Sequence, residues 1–259
     1  MINTYEVNGV TFTDGTEGND LIYVGNGATN EADDIFGGNG NDSITTGRGN
    51  DVANGGNGSD TLILGEGNDI AYGGDDRDYI YGQDGNDALF GQEGNDYIVG
   101  GLNNDYISGG NGRDSLYGNE GVDVIEGDAG NDIINGGDEN DYVFGGADND
   151  IIQGGSGTDW IDGGTGDDLL YGGNSGRQTV NEGDIFNFGD NFGHDIIHDF
   201  NNSDYINLQN YNGSVDTYEE LMANAVQDGL NVVITFDDEN SITLRSTTLD
   251  QLDEGAFWF

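Results

Sequence analysis

Residues 37–171 repeat every nine residues without interruption, as 15 units that open GGNGNDSIT, TGRGNDVAN, GGNGSDTLI and close on GGTGDDLLY. Position 6 is Asp in all 15. Position 1 is Gly in 13 and position 2 in 11. Position 8 is Ile, Leu or Val in 13, with Ala53 and Ala71 in the other two. A period this short and strict restricts the chain to a solenoid, because a single unit cannot bury its apolar residue except against the next copy. Flanking units are damaged but visible. Residues 15–23 (GTEGNDLIY) form a first unit, and 24–36 carry four extra residues around Thr29. Residues 172–187 hold a larger insertion, and 188–198 (FGDNFGHDIIH) form a degenerate last unit. The expected organisation is a lead-in over 1–14, a roll over 15–199 and a C-terminal cap over 200–259.

Within a unit, positions 7–9 suit a three-residue strand with only position 8 facing inward, since side chains alternate along a strand. Positions 1–6 suit a turn, where Gly supplies positive φ. Asn and Asp, the next most tolerant residues, stand where Gly is missing: Asp76, Asn103 and Asp148 at position 4, Asn119 and Asp128 at position 2. Position 5 is Asn in nine units. Two units per coil place Ile44, Leu62, Ile80, Ile98, Leu116, Ile134, Ile152 and Leu170 in one stack. Ala53, Ala71, Leu89, Ile107, Ile125, Val143 and Ile161 form the facing stack.

The same stacking lines up the aspartates. Asp42, Asp60, Asp78, Asp96, Asp114, Asp132, Asp150 and Asp168 fall in one row. Asp51, Asp69, Asp87, Asp105, Asp123, Asp141 and Asp159 fall in the other, with Asp20 and Asp33 at the matching place in the two flanking units. The chain has 51 acidic residues against five Arg and no Lys, a formal charge of −46. That balance argues against nucleic acid or an anionic membrane as a partner. Carboxylates about 5 Å apart repel by roughly 1–3 kcal/mol per pair at effective dielectric constants of 80 to 20, so a metal-free roll is expected not to hold together. Divalent cations between turns reverse the sign. Carboxylate and carbonyl oxygens are hard ligands whose number and flexibility suit Ca²⁺ better than Mg²⁺, on the order of a dozen ions or more.

The units resemble the hemolysin-type RTX repeat, whose signature is G-G-x-G-x-D-x-U-x with U a large aliphatic residue. The resemblance implies an all-β, right-handed parallel β-roll, a calcium-stabilised solenoid. Calcium would be held between turns by the position-6 carboxylates and by loop carbonyls, among them those of Gly38, Gly40, Gly56, Gly58, Gly110, Gly112, Gly155 and Gly157. It also implies an extracellular bacterial protein exported by type I secretion machinery, unfolded in a low-calcium cytoplasm and folding outside. The N-terminus lacks the basic and apolar regions of a cleavable signal peptide, which fits that route. No stretch reaches the roughly 20 apolar residues of a transmembrane helix. Without Cys, neither disulfides nor thiolate sites are available.

After residue 199 the nine-residue spacing is expected to stop. Residues 217–229 (TYEELMANAVQDG) suit a short helix with Thr217 as N-cap, Glu220 completing a capping box and Gly229 just past its end. LNVVITF and SITLR suit a hairpin around 237–240. A solenoid needs its last apolar face covered, and this small strand-and-helix segment would do so. It also resembles the tails that follow RTX repeats, including the terminal AFWF, which implies a secretion signal in the last ~50 residues.

No GxSxG, HExxH or P-loop occurs, and the 14 residues before the first unit leave no room for a catalytic domain, so the chain is expected not to be an enzyme. His194 and His198, at positions 5 and 9 of the last unit, are the only candidates for a zinc ligand or base; loop and strand polar residues are the simpler reading. Tyr79, Tyr81, Tyr97, Tyr117 and Tyr171 point outward on one face, and Tyr72, Phe90, Tyr106, Tyr142, Phe144 and Trp160 on the other. They offer a surface for carbohydrate or a cell-surface partner, or simply pair across strands. Outward Thr is confined to Thr45 and Thr61, too few for an ice-binding array. Sequons at Asn41, Asn57 and Asn212 follow from turn composition. A further alternative is the C-terminal module of a larger exported enzyme or toxin.

Overall fold

The computed structural model describes residues 3–7, 10–24, 32–173, 183–213, 215 and 217–259. The insertion around Thr29 and much of the one after Gly172 lie outside the described residues. Successive strands alternate between two sheets, each with 13 strands among the described residues. Sheet A takes Val52–Asn57, Ile70–Asp75, Ala88–Glu93, Tyr106–Asn111 and their successors. Sheet B takes Ser43–Arg48, Thr61–Glu66, Tyr79–Asp84, Tyr97–Leu102 and theirs. Pairing is parallel and in register at 18 residues, as in Leu62↔Ile80 and Leu89↔Ile107. Two nonapeptides therefore make one coil. The two aliphatic stacks meet in one continuous core, with Ile44, Leu62, Ile98, Ile107 and Ile161 all fully buried.

The strands are longer than the sequence spacing predicts. Each spans six residues, positions 7–9 and then 1–3 of the next unit, as in Tyr97–Leu102. Positions 1–3, expected in the turn, stay in the ladder, with Gly101 opposite Asn119. The burial alternation makes both position 8 and position 1 face inward. Because position 1 is nearly always Gly, the second inward place adds no bulk and the coil stays thin. Only positions 4–6 turn the chain. Positive φ is needed at positions 2 and 4, as at Gly110 (φ 102°) and Gly112 (φ 133°). Asp76, Asn103, Asp148, Asn119 and Asp128 adopt the same region at 71–79°, as expected. Gln83, Gln92 and Glu139 do so too, at 76–81°. These are residue types that seldom enter that region, held there by the coils above and below.

The ends are closed differently. Asn3–Val7 pairs antiparallel with Val10–Asp14, which lies against Asp33–Asn39 at the start of sheet A. Sheet B begins with Leu21–Tyr23. At the other end, residues 199–207 (DFNNSDYIN) keep the nine-residue spacing one unit past the expected limit. Tyr205–Asn207 joins sheet A with Ile206 opposite Phe186. Asp199 and Phe200 stand where the glycines would be, which hid the unit. The helix is shorter than anticipated. It runs Tyr218–Ala223 with Thr217 as N-cap, its hydroxyl accepting from the Glu220 N–H at 3.3 Å. Ala225–Asp228 then forms a strand antiparallel to Asn231–Thr235. Gly229 (φ 62°) serves that hairpin instead of ending a helix. The hairpin of Asn231–Thr235 with Ser241–Leu244 is present, and Ser241–Leu244 lies parallel on His194–Ile197. Phe257–Trp258, from the terminal AFWF, forms the last strand of sheet A.

Candidate metal centre

The position-6 aspartates stand in two columns, one at each turn of the coil. Each sends its carboxylate back toward the preceding coil. There its Oδ1 accepts the backbone N–H of the aspartate 18 residues earlier, at 2.7–2.8 Å from Asp42–Asp60 through Asp150–Asp168. The second column repeats this at 2.7–2.9 Å from Asp51–Asp69 through Asp141–Asp159. Asp20 and Asp33 head the columns, their N–H groups donating to Asp42 and Asp51 at 2.7 and 2.8 Å. From Asp33 onward these residues are buried, at 5% exposure or less.

The other oxygen has a different fate. Oδ2 of Asp42, Asp51, Asp60, Asp69, Asp78, Asp87, Asp96, Asp105, Asp114, Asp123, Asp132, Asp141, Asp150 and Asp168 is buried with no hydrogen-bond partner. A buried carboxylate oxygen without a donor is costly, and here the cost recurs at every turn. Burial pushes Asp78, Asp105, Asp141 and Asp150 up to about 8. Asp69, Asp96 and Asp132 rise to about 7. Asp60, Asp87, Asp114, Asp123 and Asp168 rise to about 6. Burial outweighs the repulsion along the column that the sequence spacing brings to the fore, and the cross-coil N–H bond opposes both.

Glycine has two separate jobs in this turn. At positions 2 and 4 the requirement is φ together with close approach. A β-carbon on Gly56 would overlap the Gly38 carbonyl, and one on Gly58 the Gly40 carbonyl. Gly110 meets Gln92 O, Gly112 meets Gly94 O, Gly155 meets Gly137 O and Gly157 meets Glu139 O in the same way. Position 1 has ordinary φ, and its glycine makes room for the carboxylate. A β-carbon on Gly82 would stand 2.6 Å from Gly100 O and closer still to Asp87 Oδ2. Position 5 carries a second ladder of opposite sense. Asn50 Oδ1 accepts the Asn68 N–H at 3.1 Å, and Asn68 and Asn86 continue it to Asn104 at 2.9 and 3.0 Å. Nine Asn at position 5 were a visible signal, but φ tolerance does not explain them; serving the next coil's N–H does.

Could these residues hold an ion? Backbone hydrogen bonds across the turns use the carbonyls of positions 2, 3 and 6, for example Asn39 N–H to Thr16 O, Gly58 N–H to Asp75 O and Thr61 N–H to Asp42 O. The position-4 carbonyls lie beside them in each turn. No group of three or more His, Cys, Asp or Glu side chains converges among the described residues. An ion here would take one or two carboxylates and would complete its shell with main-chain carbonyls, a set that fits a large hard cation with flexible coordination. Sequence reasoning missed three members of the columns. Asp184 and Asp204 extend one, accepting from the Asp159 and Asp184 N–H groups at 3.0 and 3.1 Å. Asp195 extends the other, accepting from Asp168 N–H at 2.9 Å. The spacing of Asp195 and Asp204 two residues before the buried Ile197 and Ile206 was the available signal.

The two histidines are held by the cap. His194 Nδ1 lies 3.0 Å from Ser241 Oγ. The His198 ring stacks on Tyr171 at 4.7 Å, with Arg245 Nη1 3.2 Å from its Nε2. The outward aromatics pack on one another: Tyr72 on Phe90 at 5.1 Å, Phe90 on Tyr106 at 5.7 Å, and Tyr97 on Tyr117 at 5.3 Å. Among the described residues no helix is long and apolar enough to cross a membrane.

Compared with known families, the chain matches the RTX calcium-binding nonapeptide repeat (4 copies) at residues 14–28, 28–62, 54–89, 63–98, 81–116, 90–125, 117–152 and 144–175. A search of curated proteins returned no match. Among solved structures that it is similar to is the extracellular lipase LipA from Serratia marcescens. The identity is 18%, the TM-score 0.32, and the match covers 78% of this chain and 40% of that chain. The family match takes in well over half of the sequence, and the parallel coils are the right-handed β-roll that such repeats build. The chain belongs to the RTX calcium-binding nonapeptide repeat family.

Proposed function

We propose that the protein is an exported, calcium-dependent β-roll whose folding is driven by ion binding between coils. RTX repeats bind calcium; the finer assignment is that each position-6 Asp from Asp42 and Asp51 through Asp168 supplies a ligand through the carboxylate oxygen turned away from the cross-coil N–H. Asp20 and Asp33, at the head of the columns, supply one with no earlier position-6 Asp in their columns, Asp20 Oδ2 accepting the Thr16 N–H instead. The carbonyls of the turn glycines, such as Gly38 and Gly40 or Gly110 and Gly112, complete the shell. The observation that carries this reading is the row of buried Oδ2 atoms without a donor. Bound calcium supplies positive charge where burial and the neighbouring carboxylates penalise the ionised form. The chain's own part is to hold one carboxylate oxygen on a backbone N–H of the preceding coil, which aims the other at the ion as each coil closes.

About a dozen ions in two columns would offset roughly half of the −46 charge. In a calcium-poor cytoplasm the coils would stay open, and the chain would pass a type I exporter unfolded and fold outside the cell. The C-terminal segment would carry the export signal as well as the cap. Mutual stacking accounts for Tyr72, Phe90 and Tyr106 on one face and for Tyr79, Tyr81, Tyr97 and Tyr117 on the other without a carbohydrate or a surface partner; Tyr142 stays 48% exposed outside those stacks. The test is far-UV circular dichroism during a calcium titration from chelated buffer, with magnesium as control. A cooperative gain of β structure with calcium alone, at about 10⁻⁴ to 10⁻³ M, supports the reading. A chain fully β-structured in chelator at neutral pH overturns it.

A further inference from the structure

We infer that the chain has a calcium site beyond its matched repeats, at Asp195, and that an ion there clamps the C-terminal strands onto the roll. The inference rests on the reading of calcium between coils given above. The family match ends at residue 175, yet the turn before Asp195 keeps the working parts of the repeat turn despite two extra residues. Gly193 has positive φ (85°), and a β-carbon there would overlap the Gly166 carbonyl. The His194 N–H donates to Asp167 Oδ1 at 2.9 Å, the position-5 ladder, and Asp195 Oδ1 accepts from Asp168 N–H, the position-6 ladder. Asp195 is 1% exposed, and its Oδ2 is buried without a hydrogen-bond partner.

Neighbouring aspartates show how the chain itself meets a carboxylate at the end of a column. Asp204 closes the other column with both oxygens occupied. Its Oδ1 accepts from Asp184 N–H and from Asn201 Nδ2, and its Oδ2 accepts from Asn201 N–H and Nδ2, at 2.8–3.1 Å. Asp199 likewise accepts from the Gly172 and Gly173 N–H groups, at 2.9 and 3.0 Å. Amide donors thus do at Asp199 and Asp204 what nothing in the chain does for Asp195 Oδ2. The cap is seated directly on the Asp195 turn. Ser241–Leu244 pairs with His194–Ile197, the Ser241 N–H donates to Gly193 O at 2.8 Å, and Gly193 N–H donates to Asn240 Oδ1 at 3.1 Å. An ion at Asp195 fixes the turn that carries those strands.

The experiment compares the full chain with Asp195→Asn, Asp199→Asn and Asp132→Asn. Bound calcium is counted by equilibrium dialysis, tryptic cleavage after Arg245 is timed at saturating calcium, and circular dichroism confirms that the roll is folded. Asn keeps an acceptor for the Asp168 N–H. The expected result is about one ion fewer in Asp195→Asn with cleavage after Arg245 about tenfold faster, since cleavage tracks the open population. Asp132→Asn loses calcium without exposing Arg245, and Asp199→Asn keeps its full count. If Asp132→Asn loses calcium while Asp195→Asn matches the parent in ion count and cleavage, the terminal site is wrong and the general reading stands. If neither variant changes the count, the reading of calcium between coils falls, and the terminal site falls with it.

Discussion

Replacing Asp141 by Asn should move stability in opposite directions with and without calcium. Asp141 is 1% exposed, its Oδ1 accepts from Asp123 N–H at 2.9 Å, and its Oδ2 has no donor. Burial first, then the charges of Asp159, Asp123 and Glu139, raises its carboxyl to about 8, against the N–H bond from Asp123. A carboxyl raised in the folded state keeps its proton there after the unfolded chain has lost it. Its contribution to the metal-free roll is therefore full below the unfolded pKa of 3.8 and drains away as pH rises to about 8. At pH 6 the loss is about 3 kcal/mol, at 1.36 kcal/mol per pH unit above 3.8, or about 1.5 kcal/mol if solvent at the open side of the turn screens half of it. Asn carries no charge, keeps the Oδ1 acceptor and can turn its amide toward the carbonyls around Gly136. Circular dichroism in metal-free buffer, with pH raised from 4, should show Asp141→Asn keeping its β structure to higher pH than the parent, a difference of about 1.5–3 kcal/mol at pH 6. In a calcium titration at pH 7.5 the same variant should need more calcium to fold. A variant less stable under both conditions would refute the claim that an unmatched buried charge, and not the shape of the side chain, is what calcium relieves.

The two roles assigned to turn residues can be separated in the same assays. Gly82→Ala leaves φ unstrained but drives a β-carbon against Asp87 Oδ2 and Gly100 O; it should cost about 1–3 kcal/mol by overpacking and raise the calcium concentration for folding. Unchanged calcium dependence would separate position 1 from the ion site. Asn104→Ala removes the acceptor for Val122 N–H, a 3.0 Å bond at an exposed turn. Urea melts at saturating calcium should show a loss of about 0.5–1.5 kcal/mol with the number of bound ions unchanged, because no ion ligand is touched.

The coil was legible because its period, its inward aliphatic and its position-6 Asp are each fixed by one local requirement that recurs. Less legible was whatever depends on the coil next door. Position 1 reads as one more turn glycine until the Asp87 carboxylate is seen lying against Gly82. The Asn at position 5 reads as φ tolerance until Asn50 is found bonded to Asn68 one coil away. Strand length was underestimated for the same reason. A glycine-rich stretch such as Gly100–Leu102 has low strand propensity, yet it is held in the ladder by identical neighbours on both sides. Where the period loses its glycines, as at Asp199 and Phe200, the spacing survives in Asp204 and Ile206. In the cap, Ala225–Asp228 continues the helical pattern on paper but is taken into a hairpin by Asn231–Thr235, tertiary pairing overriding local preference.

The opposite sense of the two side-chain ladders gives the roll a head and a tail. Every position-6 N–H waits for a carboxylate from the following coil, and the position-5 Asn residues other than Asn131 offer their oxygens to that same coil. A bare C-terminal end would present unmet N–H groups beside spare Asn acceptors, and a bare N-terminal end the complement. Two such ends would fit each other as well as successive coils do, a heterologous contact that does not close. Nothing in the nonapeptide itself counts coils, so length is set by where pairing is stopped. The Asn3–Val7 hairpin, the Asn201 amide on Asp204 and the strands seated on His194–Ile197 occupy those groups, and the repeat without them would be expected to add to itself end to end.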